Sequence, residues 1–421
     1  MKILLKKARI INPTSSHHRQ LKDILIEDGI IKAISDNIET KVDDTVDMDN
    51  LHVSLGWMDV FAFMGEPGYE HKETLLSGAA AAAAGGFTDV MILPNSQPVV
   101  STKSQVSHLV NQSAALPVSI HPMGSVTKNA EGKELAEMYD MYDAGAIAFS
   151  DGINPILQPG MMLKALQYIT AVDSIIIQVP EDRTIAANGL MNEGISSTRL
   201  GLPGKPAIAE ELMISRDIEL LRYTNSKIHI TGLSTKKGID LISQAKKEGL
   251  SISCSVTPYH CFFCDEDLVT YDTNLKVNPP LRTKKDMLAL QQAVINGEID
   301  CIASHHLPQH SDDKQCEFEY AKNGMSTLEI VFGTFNNFHT NLDALIEMLT
   351  DAPRKLFKQQ VNTIEEGQPV SLTLFNPEQG YTFTDDMIVS KSHNNAFTGR
   401  QLKGKVIGIV HKNKLHLNKY A

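Results

Sequence analysis

Residues 55–99, LGWMDVFAFMGEPGYEHKETLLSGAAAAAAGGFTDVMILPNSQPV, decide the fold. The apolar run from Leu55 to Val60 predicts a short buried strand. Good helix formers from Lys72 to Ala84 predict a helix, which Gly85-Gly86 ends because glycine adopts the left-handed cap conformation without steric cost. Phe87 to Leu93 predicts a second buried strand. This order is a βαβ unit, so we expect a parallel sheet whose strands are buried on both faces.

Apolar strand-like runs continue along the chain, and each is followed by a segment long enough for a crossover connection. The eight candidate strands are residues 55–60, 87–93, 117–121, 145–149, 174–178, 227–231, 251–256 and 299–303. Eight such units predict an α/β fold, a (β/α)8 barrel of the TIM type, with the active site at the carboxyl ends of the strands. We assign the barrel to residues 55–354.

The two chain ends have a different pattern, with short strands and frequent turns. The candidate strands there are residues 8–11, 23–27, 30–34, 370–375 and 405–410. Glu27-Asp28-Gly29 is a good hairpin signal between two of them. Residues 1–54 and 355–421 are therefore predicted to be all-β.

The composition limits the classes of function. The chain has 421 residues, of which 42% are hydrophobic, and its formal net charge is −11. An acidic chain without a basic stripe is a poor ligand for nucleic acids and for anionic membranes. No apolar run approaches the ~18 residues of a membrane span, and five cysteines do not make a disulfide framework. We expect a cytoplasmic protein that binds neither nucleic acid nor membrane.

A set of short motifs extends over nearly the whole chain. They are Glu66-Pro67-Gly68, Lys72-Glu73, Ser77-Gly78, Ala84-Gly85-Gly86-Phe87-Thr88, Pro94-Asn95-Ser96-Gln97-Pro98, Lys276-Val277-Asn278-Pro279-Pro280-Leu281-Arg282, Ser390-Lys391 and Phe397-x-Gly399-Arg400. In this order the motifs resemble those of the dihydroorotase family, the long bacterial type within the amidohydrolase superfamily. The resemblance implies that residues 1–54 and 355–421 form one small composite β-sandwich beside the barrel. It also implies a zinc site at the strand ends, where zinc would lower the pKa of bound water from ~15.7 to ~7.

The residues that this zinc site requires are mostly missing. By the resemblance, four histidine ligands, the general base and the arginine that grips the substrate carboxylate are replaced. The replacements are Phe61, Phe63, Val179 and Gly232 for the histidines, His305 for the base and Gly65 for the arginine. One metal-site aspartate is retained as Asp151. Because zinc needs nitrogen, sulfur or oxygen ligands at ~2.0–2.3 Å, we expect neither bound metal nor any other cofactor, and no catalytic residue.

Two asparagines match family positions that contact substrate. Asn95 follows the second strand, and Asn278 lies in the later Asn-Pro-Pro motif. Each is interpreted either as a remnant of the substrate pocket or as a brace for strand ends and loops, and the sequence leaves both interpretations open.

Three hypotheses for the function follow. The first is a non-catalytic, dihydroorotase-like protein of pyrimidine biosynthesis that serves as a structural partner of aspartate transcarbamoylase, as the resemblance implies. The second is an active cyclic-amide hydrolase, which converts dihydroorotate and water to N-carbamoyl-aspartate, with a metal site rebuilt from Asp151, His305 and His306. The third is a self-assembling scaffold like the non-catalytic relatives of dihydropyrimidinase. We also expect a homo-oligomer.

Overall fold

The computed structural model describes residues 1–185 and 188–419. Its strands are β1 (Lys2–Ile11), β2 (Leu21–Glu27), β3 (Ile30–Ser35), β4 (Asp44–Asp47), β5 (His52–Leu55), β6 (Trp57–Ala62), β7 (Phe87–Ile92), β8 (Ser119–Pro122), β9 (Ile176–Gln178), β10 (Met191–Asn192), β11 (Gly204–Lys205), β12 (Ile228–Ile230), β13 (Ile252–Val256), β14 (Cys301–Ile302), β15 (Ser371–Thr382), β16 (Gln401–His411) and β17 (Lys414–Leu417). Its helices are α1 (Leu75–Ala84), α2 (Lys103–Gln112), α3 (Met138–Asp143), α4 (Pro159–Ile169), α5 (Ile195–Leu200), α6 (Ile208–Thr224), α7 (Lys236–Lys247), α8 (Lys284–Ile295), α9 (Val331–Asn336), α10 (Leu342–Leu349) and α11 (Asp351–Leu356).

The barrel strands form a closed ring of parallel pairs. β6, β7 and β8 pair in that order, and β9, β12, β13 and β14 form the second group. Phe149 bridges to Gly124 and to Ile176 and thereby joins the two groups. A bridge between Ala62 and His306 closes the ring. The predicted (β/α)8 barrel is therefore confirmed.

Two boundaries in the first βαβ unit differ from the prediction. The barrel strand begins at Trp57, after a break at Gly56, where a Cβ would lie only 2.1 Å from Thr88 Oγ1. Helix α1 begins at Leu75 and not at Lys72, because the Thr74 hydroxyl accepts a hydrogen bond from the backbone N–H of Ser77 and caps the helix. Residues 145–149, the fourth predicted strand, are represented only by the bridges of Phe149.

The first barrel strand is buried on both faces, as a strand in a parallel sheet should be. Met58 and Val60 join an apolar cluster inside the barrel, which also contains Phe61. Trp57 and Ala62 belong to the larger core between the barrel and its helices. Strict alternation would place Phe61 on the face opposite Val60, but the pairing of β6 with β7 shifts register between Asp59 and Ala62, and Phe61 joins the same cluster.

Both chain ends contribute to one eight-stranded sheet. Its order is β17-β16-β15-β5-β1-β2-β3, and β4 pairs with β1. β15 pairs antiparallel with β5, so that Leu374 lies opposite Val53. Ile3, Ile24 and Val53 are fully buried in the core of this sheet. Among the helices in residues 1–185 and 188–419, none combines the length and the apolar composition that crossing a membrane requires.

Candidate functional site

The carboxyl ends of the barrel strands surround a cavity of about 400 Å³, which we call the mouth cavity. Phe61, Val179, His305, His306 and Asn278 all line it. The structure therefore brings together five of the residues that the sequence analysis singled out. The other predicted site residues are outside the described lining of this cavity, namely Phe63, Gly65, Asn95, Asp151 and Gly232.

Phenylalanine fills the end of the first barrel strand. Phe61 is 2% exposed and Phe63 is 6% exposed, and both belong to the apolar cluster inside the barrel together with Val179. The Phe61 ring stacks on the His305 imidazole with 4.3 Å between ring centroids. Phe63 packs against Tyr69 at 5.9 Å. These side chains offer no metal ligand. They fill the space with apolar atoms, which need no hydrogen-bond partner when they are buried, whereas a polar side chain there would need one.

The loop after the first strand has no room for a side chain at position 65. Gly65 has a φ of +65°, and a Cβ there would lie 2.3 Å from the carbonyl oxygen of Glu73 and 2.8 Å from that of Tyr69. The Tyr69 N–H donates to the Gly65 carbonyl at 2.7 Å, which fixes this tight turn. An arginine at this position would require the loop to move.

Gly232, at the end of β12, faces the imidazole of His305. A Cβ on Gly232 would lie 2.6 Å from His305 Cε1, and Gly232 has a φ of +70°. His305 itself has a φ of +47°. Val179, at the end of β9, is 3% exposed within the apolar cluster. The other two positions at which the resemblance leads one to expect histidine are thus a packed valine and a glycine whose side-chain space is occupied by His305.

The His305 imidazole belongs to a chain of polar contacts that runs into the barrel. Its Nε2 is 2.7 Å from Thr231 Oγ1, which is 2.8 Å from Ser255 Oγ. Ser255 Oγ is in turn 2.9 Å from Nε2 of His229. Burial, assisted by the neighbouring His260 and His229, lowers the pKa of His305 well below its usual range. A ring in this state is neutral at physiological pH and is a weak base.

The retained aspartate is engaged by a neighbouring loop. The Thr127 N–H donates to Asp151 Oδ1 at 2.9 Å, and the Thr127 hydroxyl donates to Oδ2. Burial raises the pKa of Asp151 to about 6, although the bonds from Thr127 oppose this shift. Asn95 donates through Nδ2 to the Asp151 carbonyl at 3.0 Å and accepts from the Ile153 N–H at 3.1 Å. In this structure Asn95 braces the loop, the second of its two interpretations.

Asn278 belongs to a buried ion-pair network that the sequence analysis missed. Its Nδ2 donates to Glu181 at 2.9 Å, and its Oδ1 accepts from the Lys205 ammonium at 2.6 Å. Lys205 and Glu181 form an ion pair, and Arg183 Nε lies 3.3 Å from the same carboxylate. The only signal in the sequence was the Glu181-Asp182 pair after the fifth strand, because its partners are far away along the chain.

His306 connects the last barrel strand to the first loop. Its Nδ1 accepts from the Thr327 N–H at 3.0 Å, and its Nε2 lies 3.5 Å from Glu73 Oε2. Both side chains are completely buried. Asp59 makes a similar link, since Ser304 donates to it through its N–H at 2.6 Å and its hydroxyl at 2.7 Å. These contacts hold the first and last strands together.

The donor set at the strand ends does not fit zinc. The four positions at which the family resemblance leads one to expect histidine carry two phenylalanines, a valine and a glycine, and none of these side chains is a ligand. Asp151, His305 and His306 have separate partners, namely Thr127, Thr231 and Thr327. In the part of the chain that the structure describes, no three His, Cys, Asp or Glu side chains are grouped to hold a metal ion.

Known structures share this fold. The L-hydantoinase (dihydropyrimidinase) from Arthrobacter aurescens superposes with a TM-score of 0.86 at 22% identity, covering 99% of this chain and 96% of that chain. The dihydropyrimidinase from Brevibacillus agri NCHU1002 superposes with a TM-score of 0.83 at 17% identity, covering 100% of this chain and 96% of the other. At these identities the likeness concerns the fold.

Sequence relatives give the family. Residues 52–238 match the family model described as "Dihydro-orotase-like". The chain is 37% identical over 414 residues to the dihydroorotase of Syntrophus aciditrophicus (strain SB), covering 97% of each chain. It is 36% identical over 418 residues to that of Carboxydothermus hydrogenoformans, covering 98% of this chain and 97% of the relative. With matches of this identity along almost its full length, the chain belongs to the dihydroorotase family.

Proposed function

We propose that this chain is a dihydroorotase-like protein of pyrimidine biosynthesis that does not catalyse hydrolysis and serves as a structural partner of aspartate transcarbamoylase. The observation that carries the proposal is the packing at the strand ends. Phe61 stacks on His305, and His305 fills the space beside Gly232. The positions that would surround a metal-bound water thus pack against one another.

The chemistry of the reaction supports the proposal. Opening a cyclic amide at neutral pH requires an activated water, which members of this superfamily obtain from zinc. The side chains at the strand ends provide no ligand set for zinc, and the residue at the position of the general base is a buried histidine that favours its neutral form. A carboxylate base is absent from the lining of the mouth cavity in the part of the chain that the structure describes.

The structural role is supported by the intact fold of the chain. Its barrel closes through Ala62 and His306, and its two ends share one sheet. The fold is thus maintained while the ligand positions are replaced, which is expected of a protein whose use depends on its shape and surface. Aspartate transcarbamoylase is the partner that the family resemblance implies.

The partnership is tested by mixing the chain with aspartate transcarbamoylase of its own organism. We expect the two proteins to elute together in size-exclusion chromatography, earlier than either protein alone, and the transcarbamoylase to gain activity or thermal stability. A transcarbamoylase from an unrelated organism is the control. Separate elution at micromolar concentration would contradict the partnership. A stable homo-oligomer that ignores the transcarbamoylase would favour the self-assembling scaffold instead.

The cyclic-amide hydrolase is tested independently of the partner. It requires Asp151, His305 and His306 to act on one ion, although each of them is held by a different threonine. Dihydroorotate turnover that depends on added zinc and is lost in Asp151→Asn would support this second function and overturn the first.

A further inference from the structure

A second cavity of about 440 Å³ opens beside the mouth cavity. We call it the outer groove and define it by His71, Thr273, His310, Lys314, Lys391 and His393. Gln309 lines both cavities. The outer groove lies among loops outside the former metal positions, and no described aspartate or glutamate lines it. The titratable side chains of its lining are two lysines and three histidines, and the nearest carboxylates, those of Asp312 and Asp385, contact His310 and His393.

Lys314 is the residue of the outer groove that we expect to bind an anion. It is 6% exposed, and its ammonium donates to the carbonyl oxygens of Thr273 at 2.9 Å and Lys276 at 3.4 Å. Among the residues that the structure describes, it forms no ion pair; the carboxylates of Asp272 and Asp313 act on it only at longer range. A lysine ammonium has three N–H donors, so one donor is left for a ligand.

The surroundings of Lys314 increase the need for a counter-charge. Burial, and then repulsion by Lys276, lower the pKa of Lys314 to about 7. Lys276 is itself 4% exposed, and its ammonium donates to the carbonyl oxygens of Phe318 and Glu319. Two buried ammonium groups without carboxylate partners are costly, and a bound anion would relieve this cost.

The other walls of the outer groove add donors. The rings of His71 and His310 lie 6.1 Å apart between centroids. His393 contacts Asp385 through Nδ1 at 3.0 Å, and this leaves Nε2 for another partner. Lys391 donates to the Glu70 carbonyl at 2.6 Å, which occupies one of its three donors. The donors come from separate loops and surround one space.

We propose that the outer groove binds a phosphoryl oxyanion, with Lys314 as its main counter-charge. A phosphoryl group presents three strong acceptor oxygens and close to two negative charges. It can therefore accept from ammonium and imidazole donors on several walls at once, which a single carboxylate does less well. The source of the group is inorganic phosphate or a nucleotide. This site uses none of the former metal positions, so it stands or falls independently of the function proposed above.

The test is calorimetric titration of the full chain with inorganic phosphate at constant ionic strength. We expect saturable binding at millimolar phosphate or below, and a loss of affinity of about tenfold or more in Lys314→Met. Lys133→Met is the control, because Lys133 is exposed, pairs with Glu131 and lines neither the mouth cavity nor the outer groove. Its affinity should be unchanged. An equal loss in both variants would overturn the proposal.

A parallel titration with AMP distinguishes the two sources. Tighter binding of AMP than of phosphate would identify a nucleotide as the ligand, and equal affinity would identify the free oxyanion. If Lys314→Met fails to fold, His310→Ala replaces it, with an expected severalfold loss. Absence of saturable binding of both compounds at millimolar concentration, or unchanged affinity in His310→Ala, would overturn the proposal.

Discussion

The imidazole of His305 occupies the space that a side chain at position 232 would need. A Cβ on Gly232 would lie 2.6 Å from His305 Cε1, and the His305 imidazole also stacks on the ring of Phe61. The side chains at positions 61 and 305 and the space beside Gly232 therefore depend on one another. A histidine at position 232 would clash with the His305 imidazole, which already occupies the space beside Gly232.

The first prediction concerns this contact. Gly232→Ala should destabilise the protein by about 2–4 kcal/mol, since it combines strain at a positive φ with overpacking against His305. In the background of His305→Ala the same substitution should cost about 1–3 kcal/mol less, because the clash is gone. Urea unfolding of the four proteins in this double-mutant cycle measures the difference.

Gly201→Ala is the control for that cycle. Gly201 has a φ of +67°, close to that of Gly232, but nothing lies within 4 Å of its added Cβ. Its substitution should cost about 1–2 kcal/mol in either background. If Gly232→Ala and Gly201→Ala cost the same, the close packing of His305 on Gly232 is wrong.

The second prediction concerns the pH dependence of stability. The pKa of Asp151 is raised to about 6 by burial, so the folded protein holds this proton more tightly than the unfolded chain does. The contribution of Asp151 to stability therefore falls as pH rises from about 4 to about 6 and stays low above that range. Asp151→Asn removes this loss and should gain about 3 kcal/mol relative to the wild type between pH 4 and pH 7.

Denaturant unfolding at several pH values measures this gain. Asp143→Asn is the control, because Asp143 is exposed and pairs with Lys103 on the surface. Its difference from the wild type should not rise over the same range. A flat difference for Asp151→Asn would mean that this carboxyl group stays ionised in the folded protein, as a metal ligand or an active-site base would.

The third prediction concerns the buried pair of Lys205 and Glu181. Lys205→Met should cost about 2–4 kcal/mol, because Glu181 would keep only Arg183 and Asn278 as partners. The double variant Lys205→Met, Glu181→Gln should cost less than the single variant, since no unpaired charge is left buried. Thermal or urea unfolding can compare them.

Lys133→Met is the control for the buried pair. Lys133 is 74% exposed in its ion pair with Glu131. Its loss should change stability by less than about 0.5 kcal/mol. A double variant that is less stable than Lys205→Met would show that the network depends on Glu181 for more than its charge.

The sequence predicted the barrel because the signals for its strands and helices are local in the sequence. Apolar runs such as Phe87 to Leu93 are typical of buried strands in a parallel sheet. Helix α1 begins only three residues after its predicted start, because Thr74 is its N-cap. Phe61 and Phe63 could also be singled out from the sequence, because the family resemblance leads one to expect histidines at these two positions.

The remaining features of the site arise from contacts between distant segments. Gly232 and His305 lie close together only because β12 and β14 belong to the same barrel. Nothing in the sequence near either residue predicts that the His305 imidazole packs beside the glycine. Asn278 contacts Lys205 and Glu181, which are far away along the chain. No periodicity connects such residues, so their network appears only in three dimensions.

The most direct test of the central claim is the metal content of the purified chain, measured by elemental analysis together with dihydroorotate turnover in added zinc. The account predicts zinc well below one ion per chain and turnover no higher than that of the heat-denatured protein. Stoichiometric zinc, with turnover that disappears in Asp151→Asn or His305→Ala, would contradict it, because these residues would then form a metal centre and the chain would be an active hydrolase.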